Sequence, residues 1–185
     1  MGRAEGVATV SRVQLSTNFF LDEFTRSQIA ARRGIDMSVC QGDVIYFNLR
    51  RLCRRVLQPL RDALGPTHIS SGYRPPKLNR LIGGAPTSQH QYGQAADLVV
   101  TGHTPLEVAT WLRDHVTGYD QLIHEYGAWV HVSVPSAALP EPARMERLTA
   151  IKVPRLIGKP RTVYMPGLIA IDDALARHNN HKEAA

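Results

Sequence analysis

Ser88-Gln89-His90-Gln91-Tyr92-Gly93-Gln94-Ala95-Ala96-Asp97 is the stretch that decides the fold, together with a second imidazole in Trp129-Val130-His131-Val132-Ser133. A histidine, a glycine where the chain can reverse, a carboxylate entering an apolar run and a distant histidine on another apolar run are candidate ligands for one zinc ion: His90, Asp97 and His131. Small Ala95 and Ala96 let the strand bearing Asp97 pack closely beside a neighbour, and a hairpin further on brings His131 across on an adjoining strand. Singly, each residue is ordinary. A lone loop histidine is usually a polar surface group, an aspartate at a strand start is more often a turn or cap residue, and a histidine in an apolar β run is more often a satisfied core residue.

Outward from this stretch, Ala95 to Val100 reads as a strand, as does the short run His68-Ile69-Ser70-Ser71 before it. Gly72 leads into Tyr73-Arg74-Pro75-Pro76, where two prolines stop regular structure and fix the backbone around Arg74. Leu78 to Ile82 forms one helical turn, and Gly83-Gly84-Ala85-Pro86 is a loop. After the strand, Thr104-Pro105-Leu106-Glu107 combines an N-cap threonine, a proline at the first helical position and a capping-box glutamate. The helix it opens runs to about Val116, with Val108, Trp111, Leu112 and His115 on its inner side. Two β-like runs follow, Tyr119 to Tyr126 and Trp129 to Val134, and Gly127-Ala128 between them suggests a tight hairpin. His124 alternates toward solvent.

Further upstream, Thr25-Arg26-Ser27-Gln28 fits a capping box for a short helix closed by Gly34. From Asp43 to Leu64, Ile45, Leu49, Leu52, Val56, Leu60 and Leu64 recur at helical intervals, and Pro59 should kink or divide that helix. From Ala137 onward prolines interrupt every short apolar piece. Arg147 to Val153 and Arg161 to Tyr164 read as edge strands or clasps, Ile169 to Arg177 as a last short helix, and Asn179 to Ala185 as a frayed end. The expected organisation is a loose arm over residues 1–15, a domain core over 16–135, and a proline-rich basic extension over 136–185 packed on that core.

At 185 residues, 43% hydrophobic and 21% charged, the chain has the size and composition of one folded domain. The net charge of +6 and pI near 9.7 fit either a scatter of solvated arginines or an anionic partner, such as nucleic acid, teichoic acid or an anionic membrane. Cys40 and Cys53 lack metal-type spacing and read as buried free thiols. Residues 1–13 do not look like a secretory signal, and no stretch approaches the roughly 20 apolar residues that span a bilayer. Synthesis in the cytoplasm without a signal peptide is the expectation, so that work outside the cell would follow release or delivery on a particle.

The pattern Ser-x-His-x-x-Gly-x-Ala-x-Asp, met by Ser88, His90, Gly93, Ala95 and Asp97, resembles the zinc motif of the D-alanyl-D-alanine carboxypeptidase and L-alanyl-D-glutamate endopeptidase family, whose fold is shared with the Hedgehog signalling domain. The resemblance extends through Ser70-Ser71-Gly72-Tyr73-Arg74, Glu125 and Trp129 to Ser133. With Phe24 to Gln28 and Arg161 to Leu168 it looks like a phage or prophage branch. It implies an α+β fold, a small antiparallel sheet carrying the zinc and packed with helices, and hydrolysis of peptide bonds in bacterial peptidoglycan stem peptides. His90, Asp97 and His131 become the zinc ligands, with Glu125 as general base and Arg74 as a catalytic and substrate-holding arginine. Ser88 and Trp129 become substrate contacts. Zinc would polarise the scissile carbonyl and activate a water.

One departure stands out. Many members carry an acid three residues before the last histidine, and that position here is Ala128, so Glu125 serves only if the hairpin folds it back over the metal. A non-catalytic reading therefore stands beside the enzyme: a zinc-binding phage particle component or wall-binding module of the same fold. Partners follow from either reading, as stem peptides, with anionic wall polymers or phage particle proteins in addition. Nucleic acid is not expected, because no recognised binding motif accompanies the basic charge.

Overall fold

The structure, a computed structural model, describes residues 12–138 and 141–183, with side chains through 181. Short helices α1 (Leu21–Thr25) and α2 (Gln28–Arg32) precede α3 (Val44–Leu52), a π-helical turn (Cys53–Leu57) and α4 (Gln58–Leu64), which run on without a break. Strand β1 (Thr67–Ser71), α5 (Pro76–Leu81), a 3₁₀ turn (Gln89–Tyr92), β2 (Ala95–Val100) and α6 (Pro105–His115) follow. Then come β3 (Gln121–Glu125), β4 (Trp129–Ser133), β5 (Glu146–Val153), β6 (Arg161–Pro166) and α7 (Ile171–Glu183).

The α+β expectation is met. The strands form one sheet in the order β1-β2-β4-β3-β5-β6, antiparallel throughout except for the parallel pair β3 and β5. Residues from 146 onward thus add two strands to the sheet that carries the motif. Strand alternation gives the sheet two different faces. Ala96, Leu98, Leu122, Val130 and Val132 point into the main core with Leu49, Leu52, Val56 and Leu60 of the long helical segment and Val108 and Leu112 of α6. Ile151 and Val153 continue that face beneath Ala174 of α7. The opposite face carries Asp97, His131, Glu125 and Tyr164, which line a cleft.

The helical face expected between Ile45 and Leu64 is present, with Leu49, Leu52, Val56 and Leu60 fully buried. Pro59 follows a π-helical turn, Cys53–Leu57, that separates α3 from α4 without a gap in the helical run. Its missing N–H and its ring's clash with the carbonyl four residues back are absorbed by the π turn just before it, where the Gln58 N–H bonds back to Cys53 O.

Several local expectations are corrected. Thr25 ends α1 and bonds back to Leu21 O, and the cap of α2 is Ser27, whose hydroxyl accepts from the Ala30 N–H at 3.2 Å. On α6 the inner side is Val108, Ala109 and Leu112, while His115 is exposed and stacks on the half-buried Trp111. His124 does not face solvent: it is buried, and its Nδ1 donates to Ile169 O at 3.0 Å. Cys53 is buried but Cys40 is exposed, and both are free thiols. The last helix continues through Glu183, past the point where fraying is expected. Of the expected loose arm, residues 1–11 lie outside the described residues, whereas Gln14 pairs with Phe20 and Leu15 is buried. No helix among the described residues is long and apolar enough to cross a membrane.

Candidate metal centre

Sheet register brings the candidate ligands together. Asp97 on β2 and His131 on β4 are direct cross-strand partners, so their side chains rise side by side from the same face. His90 arrives from the 3₁₀ turn, which Gly93 closes in the left-handed region at φ +66°. His90 Nε2 lies 3.1 Å from Asp97 Oδ1 and 3.1 Å from His131 Nδ1, and His131 Nδ1 lies 2.9 Å from Asp97 Oδ1. All three residues are buried.

This triangle fits a metal ion on chemical grounds. His90 Nδ1 is 2.7 Å from Gly72 O, and a carbonyl only accepts, so Nδ1 carries the proton of the neutral ring. Nε2 then presents a lone pair to a carboxylate oxygen and to another imidazole nitrogen. Burial favours that neutral state by lowering the His90 pKa, although Asp97 opposes it. Burial pushes the Asp97 carboxyl upward, but positive charge at His90 and His131, whenever those rings are protonated, outweighs it and holds the pKa well below the usual carboxylate range. A cation is the missing partner of these converging acceptors. Tetrahedral zinc with bonds of about 2.0–2.1 Å sets its donors roughly 3.3 Å apart, so the observed triangle needs to open by only a few tenths of an ångström.

The ligands are themselves held. Arg74 donates from Nη2 to Asp97 Oδ2 and from Nε to Ser71 Oγ at 2.7 Å, while its backbone N–H bonds His90 O at 3.0 Å. Such outer partners orient ligand side chains. Arg74 Nη1 has no partner among the described residues and belongs to a side chain that lines the cleft. On the other flank, Gln89 Nε2 donates to Asp120 Oδ2 at 2.9 Å, and Arg144 clamps the same carboxylate at 2.7 Å.

Gly93 is needed twice. Its φ is unfavourable for other residues, and an added Cβ would lie 2.8 Å from the Ile45 carbonyl oxygen. Gly93→Ala is expected to cost about 1–3 kcal/mol and to weaken any metal binding at this site by shifting His90. Urea midpoints and metal titration check this, and wild-type values in both would contradict it.

The hairpin resolves the spacing of Glu125. Its loop is three residues, Tyr126, Gly127 and Ala128, with Tyr126 at φ +58° and the Ala128 N–H bonded to Glu125 O at 2.9 Å. Glu125 therefore pairs with Trp129, and Ile123 with His131. Glu125 rises on the same face as His131, one side-chain row along, while Ala128 sits in the loop. Its side chain makes no hydrogen bond among the described residues and lines the cleft with His90, Asp97 and His131. Burial raises its pKa, the Asp97 charge adds to this, and His131, Arg74 and Lys152 pull the other way.

The cleft has a volume of about 680 Å³. Ser88 and Trp129 line it, as does a wall that the sequence reading does not assign to the site: Leu148 and Lys152 of β5 with Thr162 and Tyr164 of β6. Tyr164 lies across Ala150 from Glu125 in the sheet, and its hydroxyl pKa is pushed up to about 12 by burial and by Glu125.

The profile of the family described as Peptidase M15 matches residues 17–133. The chain belongs to this peptidase family. The match ends at Ser133, so the three candidate ligands and Glu125 of this M15 peptidase lie inside it and the β5–β6 wall outside. No curated protein matches the chain.

Burial of neutral imidazoles also sets a pH dependence. The pKa values of His90 and His124 are both lowered by burial. Below the unfolded histidine pKa of about 6.5 the unfolded state binds protons that the folded state refuses, so stability falls as pH falls. The metal-free M15 peptidase is expected to lose stability progressively as pH drops from 7 through 6 and below. Urea midpoints across that range measure it, and a midpoint that is flat or rises on acidification would contradict it.

Proposed function

We propose that this M15 peptidase is a zinc enzyme that hydrolyses peptide bonds in bacterial peptidoglycan stem peptides. The observation that carries the reading is the uncommitted carboxylate of Glu125, one row from three converging metal donors on one face of the sheet. His90, Asp97 and His131 would hold the zinc, which when bound would supply Lewis acidity for the scissile carbonyl and for a water near neutral pH. Glu125 accepts the proton of the attacking water and delivers it to the leaving amine, a role its raised pKa suits. Arg74 holds Asp97 in place through Nη2 and offers Nη1 to a substrate carbonyl or carboxylate. Trp129, packed edge-on against Tyr126 at 5.3 Å, walls the cleft, and Ser88 offers a hydroxyl at its other side.

The cleft continues past Glu125 to β6, which favours a stem peptide lying across the face over a terminal residue in a closed hole. We therefore favour endopeptidase action of the L-alanyl-D-glutamate type over D-alanyl-D-alanine carboxypeptidase action. A protein of this kind acts on the wall after release from the cell or as part of a phage particle.

Mass spectrometry of muropeptides released from purified sacculi tests the reading. New termini at an L-alanyl-D-glutamate bond are expected. Loss of a single terminal D-alanine would assign the carboxypeptidase type, and zinc bound without any cleavage would favour the wall-binding module.

A further inference from the structure

Strands β5 and β6 lie beyond the family match, yet they build one side of the metal cleft. The cleft is lined by cations of unequal commitment. Arg74 is paired with Asp97, and Arg144 with Asp120 and Glu146. Lys152 has no carboxylate within salt-bridge distance among the described residues, although it lines the same cleft.

Its ammonium is nonetheless placed. Lys152 Nζ donates to Thr162 Oγ1 at 3.0 Å and lies 4.4 Å from the centroid of the Tyr126 ring. Tyr126 Oη is 2.9 Å from the same Thr162 oxygen, so ring, hydroxyl and ammonium fix one another. Register explains the arrangement: Lys152 and Thr162 are cross-strand partners, and Tyr126 directly follows Glu125 at the hairpin. An ammonium has three N–H donors, and Thr162 takes one. The ring face is a cation–π partner that leaves donor capacity unused. Glu125 acts on this ammonium only from beyond salt-bridge distance, and what matches a positioned ammonium with donors to spare is an anionic oxygen.

We infer that Lys152, set by Thr162 and Tyr126, is a carboxylate subsite that selects stem peptides bearing a free carboxylate away from the bond that is cut. This rests on the function proposed above. The sheet gives the spacing. Leu148 lies in the row of Ile123, the partner of His131, and Lys152 is four residues further along β5, about 13 Å at 3.3 Å per residue. Leu148 is also two strands from His131, about 9.6 Å at 4.8 Å per strand, so the direct span from the metal ligands to Lys152 is roughly 16 Å, and an extended peptide covers it in about five residues.

The test uses two forms of one stem peptide, with its side-chain and α-carboxylates free or amidated. Binding is measured by calorimetry to zinc-loaded Glu125→Gln protein, and kcat/KM on the protein with Glu125 intact, each with Lys152, Lys152→Met and Lys152→Arg. With Lys152 the free-carboxylate form is expected to bind about tenfold more tightly, the size of one charge-assisted hydrogen bond. Lys152→Met should bring the two forms to within about twofold through KM, and Lys152→Arg should keep most of the preference. A preference that survives Lys152→Met, or equal binding of both forms by the Lys152 protein, would overturn the inference. If the preference is found but neither peptide is cut, the peptidase reading fails and the subsite stands.

Discussion

Replacing His90 with alanine is expected to remove the metal and the hydrolysis together. His90 is 2% exposed, and its Nε2 completes the donor triangle with Asp97 and His131. Two donors remain in His90→Ala, and changes outside the ligand set of metal sites already cost about 10–100-fold in affinity. Loss of a ligand itself should exceed that, so zinc affinity is expected to fall by more than about 100-fold. The Gly72 carbonyl also loses its donor, which adds a stability cost of about 1–3 kcal/mol. Equilibrium zinc titration and muropeptide release should fall together. Undiminished release by the metal-depleted variant would remove the metallopeptidase reading.

Glu125→Gln is expected to separate metal from chemistry. The amide matches the carboxylate in shape, breaks no hydrogen bond among the described residues and leaves all three donors in place, so zinc stays bound. Without a base the rate should fall by about 10²–10⁴-fold. The sign of the pH dependence follows from burial and from the Asp97 charge, which raise the Glu125 pKa. A general base works when deprotonated, so kcat/KM should show an acid limb as pH falls through the Glu125 pKa, which a bound cation would draw back down from its metal-free position. Glu125→Gln should lack this limb. A variant that keeps both the wild-type rate and the limb would assign the base elsewhere.

The candidate ligands are legible only jointly: His90 in a loop and Asp97 and His131 in apolar β runs are each ordinary alone, and together they complete one motif. The core face of the long helical segment is legible from spacing alone. The reach of Glu125 is not. It depends on a three-residue loop in which Tyr126, a non-glycine residue, takes φ +58°, and no local signal separates that loop from the two-residue turn Gly127-Ala128 suggests. His124 is misjudged for a related reason: alternation puts it opposite Glu125, but the chain at Ile169 and α7 cover that face. The parallel pairing of β5 with β3 is a long-range contact, and prolines around it make the segment look peripheral. The specificity wall is hidden with it, since Lys152 and Thr162 matter only once β5 and β6 lie beside the hairpin.

The most direct test of the zinc peptidase account is muropeptide release by chelator-stripped protein as zinc is added back in measured equivalents. The account predicts no release without metal and a linear rise that ends at one equivalent per chain. Release that is indifferent to stripping would contradict it.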